Sequence, residues 1–254
     1  MYTHYTFSKF ASLISKMWRS SLRETGRDTR PNLAGEKKKG GQSMAYAIIR
    51  TSKIKSFAQI RKIEAHQQRK QFTPNADTTK PVLTLLRASK CDLEAFLKEG
   101  ILKNVPIRKN AVIAQEILCS ASPSYFRTPE SDYGRYDEGK MEKWCSATLD
   151  YLKRAYGQNL VAVTLHLDEA TPHIHAIVVP LDARGRLNAR ELFNPEACKR
   201  MQTEYAEALA SLGIQRGLEG SKAKHQEVRH WYTKQRAENA QSSNFFGQFR
   251  AKTR

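Results

Sequence analysis

Two β-rich runs separated by a short polar segment restrict the fold of this chain more than any other feature. Residues 160–165 and 174–181 are rich in Leu, Ile and Val, and Asp-Glu-Ala-Thr-Pro occupies positions 168–172 between them. This pattern predicts an antiparallel β-hairpin. Three of the seven histidines, at positions 166, 173 and 175, lie at this hairpin. Any fold must therefore accommodate several imidazoles at one end of two paired strands.

The remaining elements follow from hydrophobic periodicity and from residues that cap helices. Strands are predicted at 45–50 and 111–119, and a loop is predicted between residue 73 and the helix that begins at 92. Helices are predicted at 56–69, 92–98, 138–156, 195–212 and 221–238. Helices packed on a mostly antiparallel β-sheet make an α+β fold rather than a doubly wound one.

Charge and composition divide the chain into three segments. Residues 1–43 carry nine Lys and Arg against three Asp and Glu and are predicted to be a basic leader. Lys39-Gly40-Gly41 can be encoded by a ribosome-binding sequence, so we expect translation to start at Met44. Residues 44–232 are the expected folded domain, and the polar tail 233–254 is predicted to be disordered.

The net charge indicates the class of partner. Lys and Arg total 43 against 25 Asp and Glu, which gives a formal net charge of +18 and favours nucleic acid as the partner. No apolar run is long enough for a transmembrane segment, and the four cysteines form no Cys-x-x-Cys pair. Membrane spans, disulfide scaffolds and cysteine-type zinc sites therefore lose support, and a cytoplasmic location is expected.

The three hairpin histidines have the pattern of a metal site. His173 and His175 are two residues apart on one strand and share a face, and the hairpin brings His166 alongside them. Three imidazoles with open positions suit Zn, Mn, Co, Ni or Fe, and Asp168 or Glu169 could add a ligand, orient a ring or accept a proton. Hydrogen bonding of these histidines to the backbone is the alternative interpretation. His-Glu-x-x-His and paired His-x-Thr motifs are absent, so phosphoryl transfer on nucleic acid is the chemistry that remains.

Several segments in a fixed order point to one family. Residues 166–175 resemble its metal-binding motif, and residues 65–69 followed by 73–77 resemble its first motif, in which a histidine is the nucleophile. Further matches lie at 108–112, 122–123, 185–190 and 216–225. Residues 44–232 thus resemble the plasmid mobilization relaxases of the Mob/Pre (MobV-type) class of HUH endonucleases.

This resemblance implies a function and roles for particular residues. The relatives nick one DNA strand at a plasmid transfer origin, which implies that His66 attacks phosphorus and forms a phosphoramidate with the 5′ phosphate. His166, His173 and His175 would bind a divalent metal, Mn or Mg by preference, with Zn, Co and Ni left open. Glu169 would orient a ring or accept a proton. Tyr46 is the competing nucleophile, although a tyrosine on an apolar strand is more often a core residue.

The implied partners are single-stranded or supercoiled plasmid DNA at a transfer origin and a conjugation coupling protein, with no small-molecule cofactor. Two alternatives stay open, a rolling-circle replication initiator and a non-catalytic DNA-binding repressor that holds a structural metal. The expected contacts to backbone phosphates are basic residues near the motifs. They are Arg61, Arg69, Lys70, Arg108, Lys109, Arg186 and Arg190.

Overall fold

A six-stranded sheet organises the chain in the computed structural model, which describes residues 44–73, 75–127 and 135–220. The strands are β1 (Ala45–Ile54), β2 (Val82–Arg87), β3 (Ala114–Ala121), β4 (Leu160–His166), β5 (His173–Val178) and β6 (Ile214–Gln215). Their order in the sheet is β2-β4-β5-β3-β1-β6. Neighbouring strands are antiparallel except β1 and β6, which are parallel. The predicted α+β fold with a mostly antiparallel sheet is confirmed.

Helices cover both faces of this sheet. They are α1 (Phe57–Gln67), α2 (Leu93–Ala95, continued by a π-helical turn over Phe96–Ile101), α3 (Pro123–Phe126), α4 (Glu138–Tyr156), α5 (Ala189–Leu192) and α6 (Pro195–Leu209). The larger apolar core lies under α4 and α6, where Trp144 and Tyr205 are fully buried. A smaller core lies under α1 and α2 and includes Ile54, Ile60 and Leu97.

Capping residues explain where the principal helices begin and end. Ser56 starts α1 through a capping box with Gln59, and Asn194 caps α6 immediately before a proline at its first turn. Gly157 and Gly213 follow α4 and the end of the α6 region with φ of 49° and 75°, values that favour glycine. The predictions of α1, α4, α6 and the hairpin are therefore confirmed.

Four sequence predictions need correction. Strand β2 occupies part of the expected loop, because Val82 and Leu83 gain hydrogen-bonded partners on β4 that local sequence does not reveal. The helix that begins after Asp92 continues past Gly100, because a π-helical turn carries it to Ile101. Strand β1 runs on to Ile54, and β3 runs from Ala114 to Ala121, because the two strands pair over this length.

The chain divides into two units, Met1–Gly217 and Leu218–Arg254, and only residues 218–220 of the second are described. The expected leader at 1–43, helix at 221–238 and tail at 233–254 lie outside the described residues. Within the part of the chain that is described, no helix combines the length and the apolar character needed to span a membrane.

Candidate active site

The hairpin formed by β4 and β5 brings its three histidines together. His166 pairs directly with His173, and Thr164 on β4 pairs with His175. The centroid of the His166 ring lies 5.0 Å from that of His173 and 4.7 Å from that of His175, and the latter two are 5.0 Å apart. The predicted convergence of the three imidazoles is present in the structure.

Each of these imidazoles has one ring nitrogen beside an oxygen acceptor. A carbonyl oxygen can only accept, so the nitrogen facing it carries the proton, and an ionised carboxylate acts in the same way. The pairs are His166 Nε2 with the Gln67 carbonyl (3.3 Å), His173 Nδ1 with the Thr171 carbonyl (2.9 Å) and His175 Nδ1 with Glu116 Oε1 (2.9 Å). The second nitrogen of each ring is then left with a lone pair, which is the form that binds a metal. In the structure the Nδ1 lone pair of His166 accepts a hydrogen bond from Arg69 Nη2 at 3.0 Å.

These lone pairs and nearby groups suit a divalent metal. The Nε2 atom of His175 is buried and has no hydrogen-bond partner among the described residues, which is costly unless a ligand occupies it. Ligand atoms of His166, Glu169 and His173 lie within 4.8 Å of one another, as do those of His66, His166 and His175. Imidazole nitrogens with one carboxylate oxygen suit Mn, Zn and other transition metals.

Burial keeps the cluster neutral. Removal from water, reinforced by the neighbouring His175, lowers the pKa of His173 to about 4. Burial also lowers the pKa of His166 and of His175. All three imidazoles are therefore uncharged at pH 7, as metal ligation requires.

Arg69 and two carboxylates form an ion-pair network beside the cluster. The Arg69 Nε atom donates to Asp168 Oδ2 at 2.7 Å, and its Nη2 atom donates to Glu169 Oε1 at 2.6 Å. Burial alone would raise the pKa of Glu169, but the hydrogen-bonding and positively charged groups around it, Arg69 among them, outweigh burial, and the pKa is lowered. Glu169 is thus a carboxylate, better suited to hold a cation than to accept a proton.

Arg69 contacts this network from an unusual backbone conformation. Arg69 follows the end of α1 with φ of 53°, in the left-handed region that non-glycine residues seldom occupy. The amides of Arg69 and Lys70 donate to the carbonyls of His66 and Ala65 and close the helix end. Strain of this kind is characteristic of functional sites.

His66 lies on the last turn of α1, against the same cluster. Its ring centroid is 5.7 Å from the rings of both His166 and His175, and its Nε2 atom lies 3.4 Å from Arg69 Nη1. The guanidinium can only donate, so Nε2 of His66 carries a lone pair. Burial, followed by the positive charge of Arg69, lowers the pKa of His66, so the neutral and nucleophilic form prevails at pH 7.

Sequence reasoning missed Glu116 and Gln67. Glu116 lies on β3 and accepts hydrogen bonds from His175 Nδ1, from Ser52 Oγ at 3.1 Å and from Gln67 Nε2 at 3.3 Å. Gln67 is buried and contacts His166 through its carbonyl. A single carboxylate inside the apolar run 111–119 was the available signal for Glu116.

The other residues expected to contact DNA are placed separately from the histidines. Arg61 pairs with Glu94 and, with Lys70, lines a cavity between α1 and α2. Arg186 pairs with Asp182 in an exposed turn. Exposed positions on the loop before β3 and on α5 hold Arg108, Lys109 and Arg190. Of the seven expected phosphate contacts, Arg69 is the one that the structure places in the network around the three histidines.

Comparison with known proteins identifies the family. Residues 43–233 match the family model Mob_Pre, described as plasmid recombination enzyme. The chain belongs to this family. A 65 kDa protein of Zymomonas mobilis is 36% identical over 74% of this chain and 32% of its own length. A plasmid recombination enzyme of Lactiplantibacillus plantarum is 28% identical over 73% of this chain and 52% of its own length. The chain thus spans about a third to a half of these relatives.

Solved structures share the fold. A Mn-bound MobM relaxase domain in complex with plasmid pMV158 oriT DNA matches with a TM-score of 0.64 at 24% identity, over 74% of this chain and 98% of that one. A second Mn-bound structure of the same domain with oriT DNA matches with a TM-score of 0.60 at 26% identity, over 75% and 98% of the two chains. The six-stranded sheet with its helices is therefore the relaxase-type fold of this Mob_Pre chain.

Proposed function

We propose that this Mob_Pre chain is a metal-dependent relaxase that nicks one strand of plasmid DNA at a transfer origin and stays attached to the 5′ phosphate through His66. One observation carries the proposal: the His66 ring packs against His166 and His175, and these residues with Glu169 and His173 form two overlapping sets of potential metal ligands. A nucleophile next to a metal-binding set is the arrangement that phosphoryl transfer requires.

The nicking step exchanges one bond to phosphorus for another. His66 Nε2 forms a bond to phosphorus while the bond from phosphorus to the 3′ oxygen breaks. The imidazole releases its Nδ1 proton to water and the departing 3′ oxygen takes up a proton, so that a phosphoramidate and a 3′ hydroxyl result. Reversal of the same step by a 3′ hydroxyl reseals the strand without ATP.

His166, His173 and His175 would hold the metal, with Glu169 as a further ligand or as the group that orients a ring. The metal, when bound, neutralises charge on the non-bridging phosphate oxygens. Mn is supported by the Mn-bound relaxase domains of similar fold, and Mg, Zn, Co and Ni are competitors to be tested. Arg69 balances the charge of Asp168 and Glu169 beside the reacting atoms.

The cellular setting follows from this chemistry. Residues 44–232 would form the catalytic domain, and a conjugation coupling protein would be its partner in the bacterial cytoplasm, where plasmid DNA is found. A rolling-circle initiator or a repressor with a structural metal is less well supported, since neither explains a half-buried His66 against the metal-binding set.

The direct test is nicking of supercoiled plasmid. We expect the full chain with Mn²⁺ to convert its own supercoiled plasmid to the open circular form and to leave protein covalently attached to a 5′ end, as measured by gel electrophoresis and adduct mapping. A protein that binds this DNA with Mn²⁺ present but never nicks it would support the repressor instead.

Binding of single-stranded DNA should depend strongly on salt. If about five phosphates are neutralised, log K should fall with log salt with a slope of about −3.5, since each contact contributes about −0.7 on a single strand. Fluorescence anisotropy of a labelled oligothymidylate over a range of NaCl concentrations measures this slope. An affinity that does not change with salt would mean that the net charge of +18 binds a partner other than DNA.

Glu116 should set the affinity for the metal. Glu116→Ala removes the acceptor that fixes the proton on His175 Nδ1, and loss of such a partner typically costs about 10- to 100-fold in metal affinity. Titration calorimetry with MnCl₂ measures the change. Glu207→Ala, on the exposed face of α6, is the matched control and should bind Mn²⁺ like the wild type. Equal affinity of both variants would contradict the orienting role.

A further inference from the structure

Tyr46 points to the side of the sheet that carries the histidines. The sequence favoured a core position for this residue, yet its side chain is 37% exposed. Its neighbours Ala45 and Ala47 belong to the core under α4 and α6, so the alternation of a strand turns Tyr46 to the opposite face. His173 and His175 face the same way, because Ile174 between them is part of that core.

Among the described residues, an apolar core covers this face at one end only. The core under α1 and α2 takes in Ile54 at the far end of β1 and Ala114 at the start of β3. Ile48 and Leu118 are half-buried and belong to neither apolar core of the described residues. We call Tyr46, Ile48 and Leu118 the open sheet face.

The strand register places the open sheet face beside the candidate active site. His175 pairs with Leu118, and Leu118 pairs with Arg50 on β1. Strands β5 and β1 run in the same direction, so His173 lies in line with Ile48, and Tyr46 is two residues further along. With strands about 4.8 Å apart and a rise of about 3.4 Å per residue, the Cα atoms of Tyr46 and His173 are about 12 Å apart.

This separation argues against Tyr46 as the nucleophile and in favour of a different role. Attack on phosphorus requires the reacting atoms to be about 3 to 3.5 Å apart, which His66 can meet from its place against the cluster. A tyrosine whose Cα lies about 12 Å from that of His173 is instead within reach of a base on an extended strand that passes through the site. An exposed tyrosine on the same face as Ile48 and Leu118 offers a π-face on which a base of any type can stack.

We propose that Tyr46 is a base-stacking residue for the single DNA strand, which leaves the histidine cluster across the open sheet face. This inference rests on the proposed function and identifies part of its substrate track. The occupant is single-stranded DNA because the face is continuous with the histidine cluster, the chain carries a net charge of +18, and relaxase domains of the same fold are bound to oriT DNA.

Affinity for single-stranded DNA tests the proposal. Tyr46→Val keeps a strand-forming residue but removes the ring, and it should weaken binding of an oligothymidylate by about 5- to 150-fold. Tyr46→Phe keeps the ring and should bind within about twofold of the wild type. The salt slopes of all three proteins should be parallel, because a stacking ring neutralises no phosphate.

A matched control and a direct readout accompany these variants. Ile107→Ala removes a side chain that is 44% exposed on the loop before β3, and its binding should equal that of the wild type. Irradiation of an oligothymidylate containing 5-iodouracil should crosslink Tyr46, as mapped by mass spectrometry. The unfolding temperature of Tyr46→Val should be close to that of the wild type. Its weaker binding then results from loss of the ring and not from loss of folded protein.

The outcomes separate this inference from the proposed function. Weak binding by Tyr46→Val with normal binding by Tyr46→Phe, together with a crosslink at Tyr46, supports stacking. If the wild type binds DNA and nicks with Mn²⁺ but Tyr46→Val binds equally well and the crosslink maps elsewhere, the stacking role is wrong and the proposed function stands. If the wild type neither binds nor nicks, the proposed function itself fails.

Discussion

His66→Phe should form no covalent DNA adduct while still binding DNA. The phenyl ring fills the place of the imidazole but has no lone pair, and loss of a nucleophile typically lowers the rate by several orders of magnitude. Non-covalent affinity should stay within a few-fold of the wild type, because Lys and Arg supply most of the attraction to phosphates. Gel analysis of denatured reaction mixtures measures the adduct, and anisotropy measures the binding.

The chemistry of the wild-type adduct identifies its linkage independently. A phosphoramidate hydrolyses in acid and survives base, whereas a phosphotyrosine is far more stable in acid. We expect an acid-labile adduct and retention of the adduct in Tyr46→Phe. An acid-stable adduct that peptide mapping places on a tyrosine would show that the His66 assignment is wrong.

Removal of the metal should lower the nicking activity as much as the loss of His66 does. The double variant His173→Ala/His175→Ala leaves His166 as the only hairpin imidazole, and we expect Mn²⁺ affinity and nicking to fall by at least about 100-fold. Excess EDTA should abolish nicking by the wild type, and added MnCl₂ should restore it. Calorimetry measures binding, and conversion of supercoiled to open circular plasmid measures activity.

His4→Ala is the control for this double variant, because His4 lies outside residues 43–233, the part of the chain that matches the family. It should bind Mn²⁺ and nick as the wild type does. Full nicking in EDTA, or by the double variant, would rule out the metal assignment even if the His66 adduct were confirmed.

Local sequence was sufficient for the hairpin and for the positions of α1, α4 and α6. His166, His173 and His175 lie so close in sequence that alternation and a single hairpin register decide which of them meet. Ser56, Asn194 and Gly213 mark helix ends through interactions within one helical turn. These outcomes depend on short-range geometry, which a sequence pattern encodes directly.

Groups that come together from distant parts of the chain could not be assigned in this way. The resemblance to a family directed attention to His66, but its position against His166, which is distant in sequence, results from packing of α1 on the sheet. The same packing brings Gln67 to Glu116, and the turn after α1 places Arg69 against Asp168.

By itself, the sequence determined the α+β class, the hairpin and the shared face of the three histidines, because each follows from a period of two or 3.6 residues and from local caps. The tertiary structure alone decided that β2 pairs with β4, that Glu116 fixes the proton on His175, and that Tyr46 is exposed on the histidine side of the sheet. The physical reason is that strand partners, buried charges and uncovered faces depend on which segments pack together over long sequence separations.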